Sequence, residues 1–238
     1  MKKLIIEPID ILQFSVPYVS SIDLSETAKE IAKGLGGKTH RSYNKTIAQM
    51  KPICTGIANI EDLKRNVLPK TEPSPREKGW YSSVGYVLRE LHRMYGSEQS
   101  TWFPVTRKPI EVFKGAWFKS AIRGVRYHNK QAKAVFINPR GSAFLDHEGL
   151  AFISRWLIEF HLRDDPNMHG FEIVDLGKDP RTERRRARFF DESTVEPMSL
   201  ETFEVSLECF LQAVELAGLA AAPKASENIS DIFRKPWN

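Results

Sequence analysis

The sequence predicts an α+β fold in which helices cover one face of an antiparallel sheet, and three observations lead there. Ser199 to Ala217 places Leu200, Phe203, Leu207, Phe210, Leu211 and Val214 in one helical stripe, with Glu201 and Glu204 near its start and Gly218 at its end. Lys3 to Phe14, Ala132 to Ile137 and Phe171 to Leu176 are short runs rich in Ile, Val and Phe, the composition of strands. Between the first two lies Pro109 to Arg126, PIEVFKGAWFKSAIRGVR. Read as a helix, it puts Phe113, Trp117, Ser120 and Gly124 on one face and Lys119, Arg123 and Arg126 on another.

Each element has its own warrant. In KLIIEPIDILQF an extended reading sets Ile5, Ile9 and Ile11 on one side, with Pro8 marking an edge or a bulge. Ser25 reads as the N-cap of a short helix that carries Ala28, Ile31 and Ala32 and stops at Gly34. From Lys38 to Lys78 the chain is polar and holds Pro52, Pro69, Pro73 and Pro75, so a loop-rich insertion is expected there, with a capped turn or two of helix at Asn59 to Val67. Trp80 to Tyr95 repeats Tyr81, Val84, Leu88, Leu91 and Tyr95 at helical spacing. Phe152 to Leu162 alternates with Trp156, Ile158, Phe160 and Leu162 on one side and reads as a central strand, with Phe171 to Leu176 as its hairpin partner. The tail beyond Pro223 offers at most a short strand near Ile229 to Phe233. Strand, helix, strand, strand, helix is a ferredoxin-like (RRM-like) order. It implies a single domain over residues 1–238 with a helical insertion at about 15–101.

Length and composition suit a globular chain that can bury a core without staples: 41% of its 238 residues are hydrophobic. Cys54 and Cys209 stand apart from each other and from any Cys/His cluster, which points to a reducing compartment and no structural zinc. The N-terminal run is broken by Glu7, Pro8 and Asp10, and nowhere are there enough consecutive apolar residues for a span. A soluble cytoplasmic protein that makes no use of the membrane is therefore expected.

The formal charge of +5 is concentrated in the middle of the chain. Arg107 to Arg140 holds nine Lys/Arg against Glu111 alone, and Lys178 to Phe190, KDPRTERRRARFF, holds six against two acids, whereas Asp191 to Asn238 is acidic. A phosphate backbone suits such density, because each contacted phosphate releases counterions. Arginines beside aromatics also suit RNA, through phosphate pairing and stacking. A solvated basic surface is the competing explanation for both stretches.

Catalytic chemistry is thinly represented. His40, His92, His128, His147, His161 and His169 make no metal-ligand spacing, and the chain lacks both a phosphate-cradling loop motif and a nucleophile elbow. Neither a metal nor another cofactor is expected. A loop gathering His161, Asp164, Asp165 and His169 is the one metal candidate, and a polar turn explains it as well. A metal-independent ribonuclease needs only a His or Tyr near a 2′-hydroxyl and a cation, roles open to His40, Tyr43 or His128 beside Arg126. Ser25 to Met50, opening TAKEIAKGLGG over Thr27 to Gly37, offers a different class again, a helix-turn-helix for duplex DNA.

The string KGAWFKSAIR, Lys114 to Arg123, resembles the segment that begins the first helix in the RAMP superfamily of CRISPR proteins, the Cas5/Cas7-like subunits. WFPVTRKPIEVF before it, KAVFIN after it, KLIIEPIDILQF at the start, and RRRARFFDE with the helix ending ELAG are similar to other parts of such chains. The resemblance implies a ferredoxin-like, mostly non-catalytic subunit that holds guide RNA, a single-stranded RNA, beside other subunits of an effector complex. It carries over Lys114, Lys119, Arg123 and Arg126 as phosphate contacts. Arg181, Arg184, Arg185, Arg186 and Arg188 are the second set of nucleic-acid-binding candidates, from the arginine run itself.

Overall fold

The chain opens with a three-residue strand, β1 (Leu4–Ile6), and turns at once into a helix, α1 (Pro8–Ser15). Pro8 takes the first helical position, where its fixed φ and missing N–H are an asset. The Asp10 carboxylate reaches back to accept from Glu7 N at 2.8 Å, closing the N-terminus. The long first strand expected over Lys3 to Phe14 is thus mostly helix, because the proline starts a helix and does not bulge a strand. The computed structural model describes residues 4–15, 23–35, 43–105, 109–113, 116–141, 144–163 and 165–219.

Helices α2 (Leu24–Leu35), α3 (Asn44–Ile47), α4 (Met50–Cys54), α5 (Ile60–Val67) and α6 (Pro75–Tyr95) follow. Asp23, not Ser25, caps α2: its Oδ1 accepts from Ser25 N at 2.9 Å and Glu26 N at 3.1 Å. Asn59 caps α5 as expected, accepting from Asp62 N. A capping box between Ser74 and Glu77 starts α6 a turn and a half earlier than its apolar stripe indicates.

Pro109 to Arg126 is not a helix. It forms β3 (Ile110–Phe113), β4 (Ala116–Phe118), an irregular connection through Lys119 to Arg123, and the opening of β5 (Gly124–His128). Its Ile, Val and aromatic content favours strands, and two glycines, Gly115 and Gly124, interrupt any helix. Gly124 is needed where it stands, since a Cβ would collide with the Trp102 ring. Phe152 to Leu162 fails in the opposite direction. It belongs to α7 (His147–Leu157), capped by Asp146 accepting from Gly149 N at 2.8 Å, and to a π-helical turn over Ile158–Leu162. The run begins inside α7 and ends in the π-helical turn, whose i→i+5 winding breaks the 3.6-residue period, so its apolar residues imitate a strand.

The remaining elements are β2 (Thr101–Pro104), β6 (Gln131–Asn138), β7 (Gly170–Asp175), β8 (Arg188–Asp191) and α8 (Leu200–Leu216), the last as its stripe predicts. Two sheets result, a small one in the order β1-β4-β3 and a five-stranded one in the order β2-β5-β6-β7-β8. The larger sheet is antiparallel except that β6 and β7 run parallel, joined by α7 as crossover. Strand β7 therefore pairs with β6 and not with the segment around Trp156. The chain is α+β, but its order between residues 109 and 162 is not the ferredoxin-like one the sequence suggested.

Helices cover both faces of the larger sheet. Ala134, Phe136, Phe171 and Ile173 face one core, built with β1, β4, α1, α2, α7 and α8. Val135, Ile137, Val174 and Leu176 face the other, built with α3, α4, α5 and α6. The alternation along β6 and β7 shows why: a strand pair apolar on both sides needs two covering layers. Trp156, fully buried, centres the first core, with Phe160 at 4.5 Å and Phe118 at 5.3 Å between ring centroids. The 44–95 helices are thus the second covering layer, not a loop-rich excursion. Among the described residues no helix is long and apolar enough to cross a membrane.

Candidate nucleic-acid interface

The sheet topology brings part of the first basic stretch, Lys119, Arg123 and Arg140, beside the second. Strands β6 and β7 end, and β5 and β8 begin, at one rim of the larger sheet, the carboxyl end of its parallel pair. Such rims collect ligands because the connections leaving them are free to carry side chains. Arg123 N donates to Val135 O at 2.9 Å, so the connection bearing Lys119 and Arg123 closes beside the end of β6. Arg140 follows β6. The β7–β8 connection brings Lys178, Arg181, Arg184, Arg185 and Arg186, and Arg188 opens β8. The pieces touch: Lys178 N donates to Gly141 O at 3.1 Å and Arg185 Nη2 to Pro139 O at 3.4 Å.

Three of these cations converge on Glu7 at the start of α1. Lys119 Nζ lies 2.9 Å and Arg123 Nη2 3.4 Å from its Oε1, while Arg140 Nη2 lies 3.0 Å from Oε2 and Nη1 2.6 Å from Asp10 Oδ1. Burial works to raise the Glu7 pKa, but Arg123, Lys119 and Arg140 together outweigh it and lower it to about 2. A lowered carboxylate pKa stabilises the fold above the unfolded value and is lost as pH falls through the folded one. The shift from 4.5 to about 2 corresponds to about 3 kcal/mol. The stability difference between wild type and Glu7→Gln should therefore be largest at neutral pH and close as pH falls from about 4.5 to 2. Chemical denaturation across that range measures it, and a pH-independent difference would contradict the pairing.

Asp175, with no exposed surface, fixes the rim from below. Its Oδ1 accepts from Asn138 Nδ2 at 2.7 Å and Gly177 N at 3.1 Å. Its Oδ2 accepts from Leu145 N at 3.4 Å and pairs with Arg188. Arg188 also stacks on Phe144, Cζ to centroid 3.8 Å. The rim thus holds nine Lys/Arg against Glu7, Asp10, Asp175, Asp179 and Glu183, which accounts for most of the chain's formal charge of +5. Donors exceed acceptors here: among the described residues, Arg123 Nε, Arg185 Nη1 and Arg188 Nε are buried without a hydrogen-bond partner.

The expected site residues divide. Arg181, Arg184 and Arg186 are exposed, Arg185 and Arg188 half-buried, and Lys119 and Arg123 stand at the same rim with Glu7 between them. Lys114 lies outside the described residues. Arg126 is a correction: it sits inside β5, 8% exposed, and faces the second core, paired with buried Glu172 and with Glu98 at 2.8 Å. Lys119, Arg123 and Arg126 share no helical face, because a connection and a strand replace the helix. His128 lies at the β5–β6 turn, its Nδ1 3.3 Å from Gln99 O, at the opposite end of the sheet from Tyr43. His40 and Asp164 lie outside the described residues, and among the described residues no three His, Cys, Asp or Glu side chains gather to hold a metal.

Sequence reasoning missed the acids that organise the rim, Glu7, Asp10 and Asp175, and passed over Arg140. The one available signal was Asn138-Pro139-Arg140-Gly141 directly after a buried strand, a turn with a cation in it. Comparison with protein-family models, with curated proteins and with solved structures finds no match to this chain.

Proposed function

We propose that this rim binds the backbone of single-stranded nucleic acid, with RNA as the first candidate. The observation that carries the reading is the convergence of Lys119, Arg123 and Arg140 with the stretch Lys178 to Arg188 at one end of one sheet. Glu7, Asp10 and Asp175 neutralise part of this charge, and the excess, carried by the exposed Arg181, Arg184 and Arg186, suits a polyanion lying across it. Half-buried aromatic side chains beside the same rim favour an unpaired strand over a duplex. The helix-turn-helix alternative needs the helix at 24–35 and the one after it as a packed pair. They contribute to different cores, Ile31 to one and Ile47 to the other. A guide-RNA subunit of a CRISPR effector complex, with a ferredoxin-like core, is the narrower reading that the RAMP resemblance implies. The strand and connection at 116–123 and the helix at 147–157 remove the element order on which that resemblance leaned.

The test uses the exposed arginines, whose substitution by Ala keeps their backbone hydrogen bonds. Replacing Arg181, Arg184 and Arg186 by Ala should leave unfolding almost unchanged. It should flatten the slope of log affinity against log salt for a single strand by about two units, at about 0.7 per phosphate contact. Single-stranded RNA binding over a salt series, with duplex DNA as competitor, measures it. Equal slopes for wild type and variant would sink the reading, and a preference for the duplex would move it to Ser25 to Met50.

A further inference from the structure

Beside the arginine loop, α3 and α6 present three half-buried rings, Tyr43, Trp80 and Tyr86. Tyr43 and Trp80 meet with centroids 4.5 Å apart and planes tilted by 54°. Arg185 joins them to Tyr86: its Nη2 is 3.3 Å from Tyr43 Oη, and its Cζ lies 5.4 Å from the Tyr86 centroid. Arg89 approaches the same ring at 5.8 Å. We propose that Tyr43, Trp80, Tyr86 and Arg185 form a stacking site for unpaired nucleobases of the strand whose phosphates lie on the rim. The proposal rests on the function argued above and adds to it what the protein does with the bases.

The physical case has three parts. First, Tyr43 and Tyr86 rest against the second core without being part of its buried set, so both rings stay partly exposed beside the arginine loop. Rings kept half-exposed among cations contribute only about 0.5–1 kcal/mol of cation–π energy each, a modest reason for three to gather. Second, Arg185 is held in place and is not a loose surface cation. Its guanidinium crosses the backbone at Gly141, where a Cβ would come within 2.5 Å of Nη2. A planar cation fixed between a Tyr hydroxyl and a Tyr face is preorganised both to stack and to meet a phosphate. Third, Arg185 belongs to the same connection as Arg181, Arg184 and Arg186, so a strand tracking those cations passes the rings. Stacking of this kind tolerates any base, since every base has a π-face.

The experiment compares a base-bearing single-stranded oligonucleotide with an abasic strand of equal length and phosphate number, by fluorescence anisotropy at fixed salt. Wild type should bind the base-bearing strand about tenfold more tightly. Trp80→Leu should reduce that ratio toward one and leave abasic binding unchanged, with thermal unfolding confirming that the variant folds. The wild-type ratio alone decides the matter if a variant does not fold. Equal binding of both strands by wild type would overturn the stacking site and leave the phosphate-binding rim standing, whereas binding of neither would overturn both.

Discussion

Arg126→Ala is expected to destabilise the fold by about 3–5 kcal/mol, the range for removing one partner of a buried ion pair. Glu172 on β7 is 1% exposed, and its carboxylate takes Arg126 Nε at 3.0 Å and Tyr95 Oη at 3.2 Å. Without the guanidinium, that carboxylate stays buried with one neutral donor. It must then either protonate or draw in water, and both outcomes are unfavourable inside the sheet. The Tyr95 hydroxyl offers no relief as a proton source, because burial and then the Glu172 charge push its pKa well up. The guanidinium also lies 5.3 Å from the Tyr95 ring centroid, so some packing goes with the charge. A control separates the two losses: Arg126→Met with Glu172→Gln removes both charges, keeps most of the volume, and should recover much of the stability. Urea unfolding of the three proteins is the measurement. A loss under about 1 kcal/mol for Arg126→Ala would mean that the pair is solvated after all. The double variant, if folded, should retain the wild-type salt slope for single strands, since Arg126 lies away from the rim.

What was legible in the sequence follows the kind of burial each element undergoes. Helix α8 buries one stripe, Phe203, Leu207, Phe210, Leu211 and Val214, and leaves its other face in water, so the period shows. The run from Phe152 to Leu162 joins the second half of α7 to a π-helical turn, and apolar residues that span two windings have no single period to read. Strand β6 was recognisable as an apolar run for the same reason that helices on both faces could have been inferred: Ala134 to Ile137 has no polar position at all. The stretch Pro109 to Arg126 reads as a helix because Lys119, Arg123 and Arg126 fit helical spacing by coincidence. In the fold, Arg123 precedes β5 and Arg126 points from within it, so one reaches the rim and the other the core.

The rim itself was half visible. Its cations cluster along the chain and could be counted, but their counter-charges come from far away: Glu7 is 112 residues from Lys119 and 133 from Arg140. Nothing in spacing reports a partner at that separation. Only the parallel pairing of β1 with β4 and of β6 with β7 places them.

Asp175→Ala is expected to cost about 3–5 kcal/mol and, with it, the shape of the interface. The carboxylate is the single acceptor shared by Asn138 from β6, Gly177 N and Leu145 N from the two connections, and Arg188 from β8. Removing it leaves the half-buried Arg188 guanidinium with Leu145 O but no carboxylate, and the buried Asn138 amide without that acceptor, each loss worth about 1–3 kcal/mol. Asp175→Asn keeps the volume and one acceptor oxygen but loses the charge, so it should cost less, and the order Ala above Asn distinguishes a hydrogen-bonding hub from a pure ion pair. The two losses differ in place as well as in size. Because Asp175 anchors Gly177 and Arg188, the two ends of the arginine connection, its removal should loosen that connection before it unfolds the sheet. Limited trypsin digestion of the folded variant should then cut after Arg181, Arg184 or Arg186 faster than in wild type, with single-strand affinity falling in parallel. Unchanged cleavage alongside reduced stability would show that the connection is held by Lys178–Gly141 and Arg185–Pro139 instead, and that Asp175 serves the core alone.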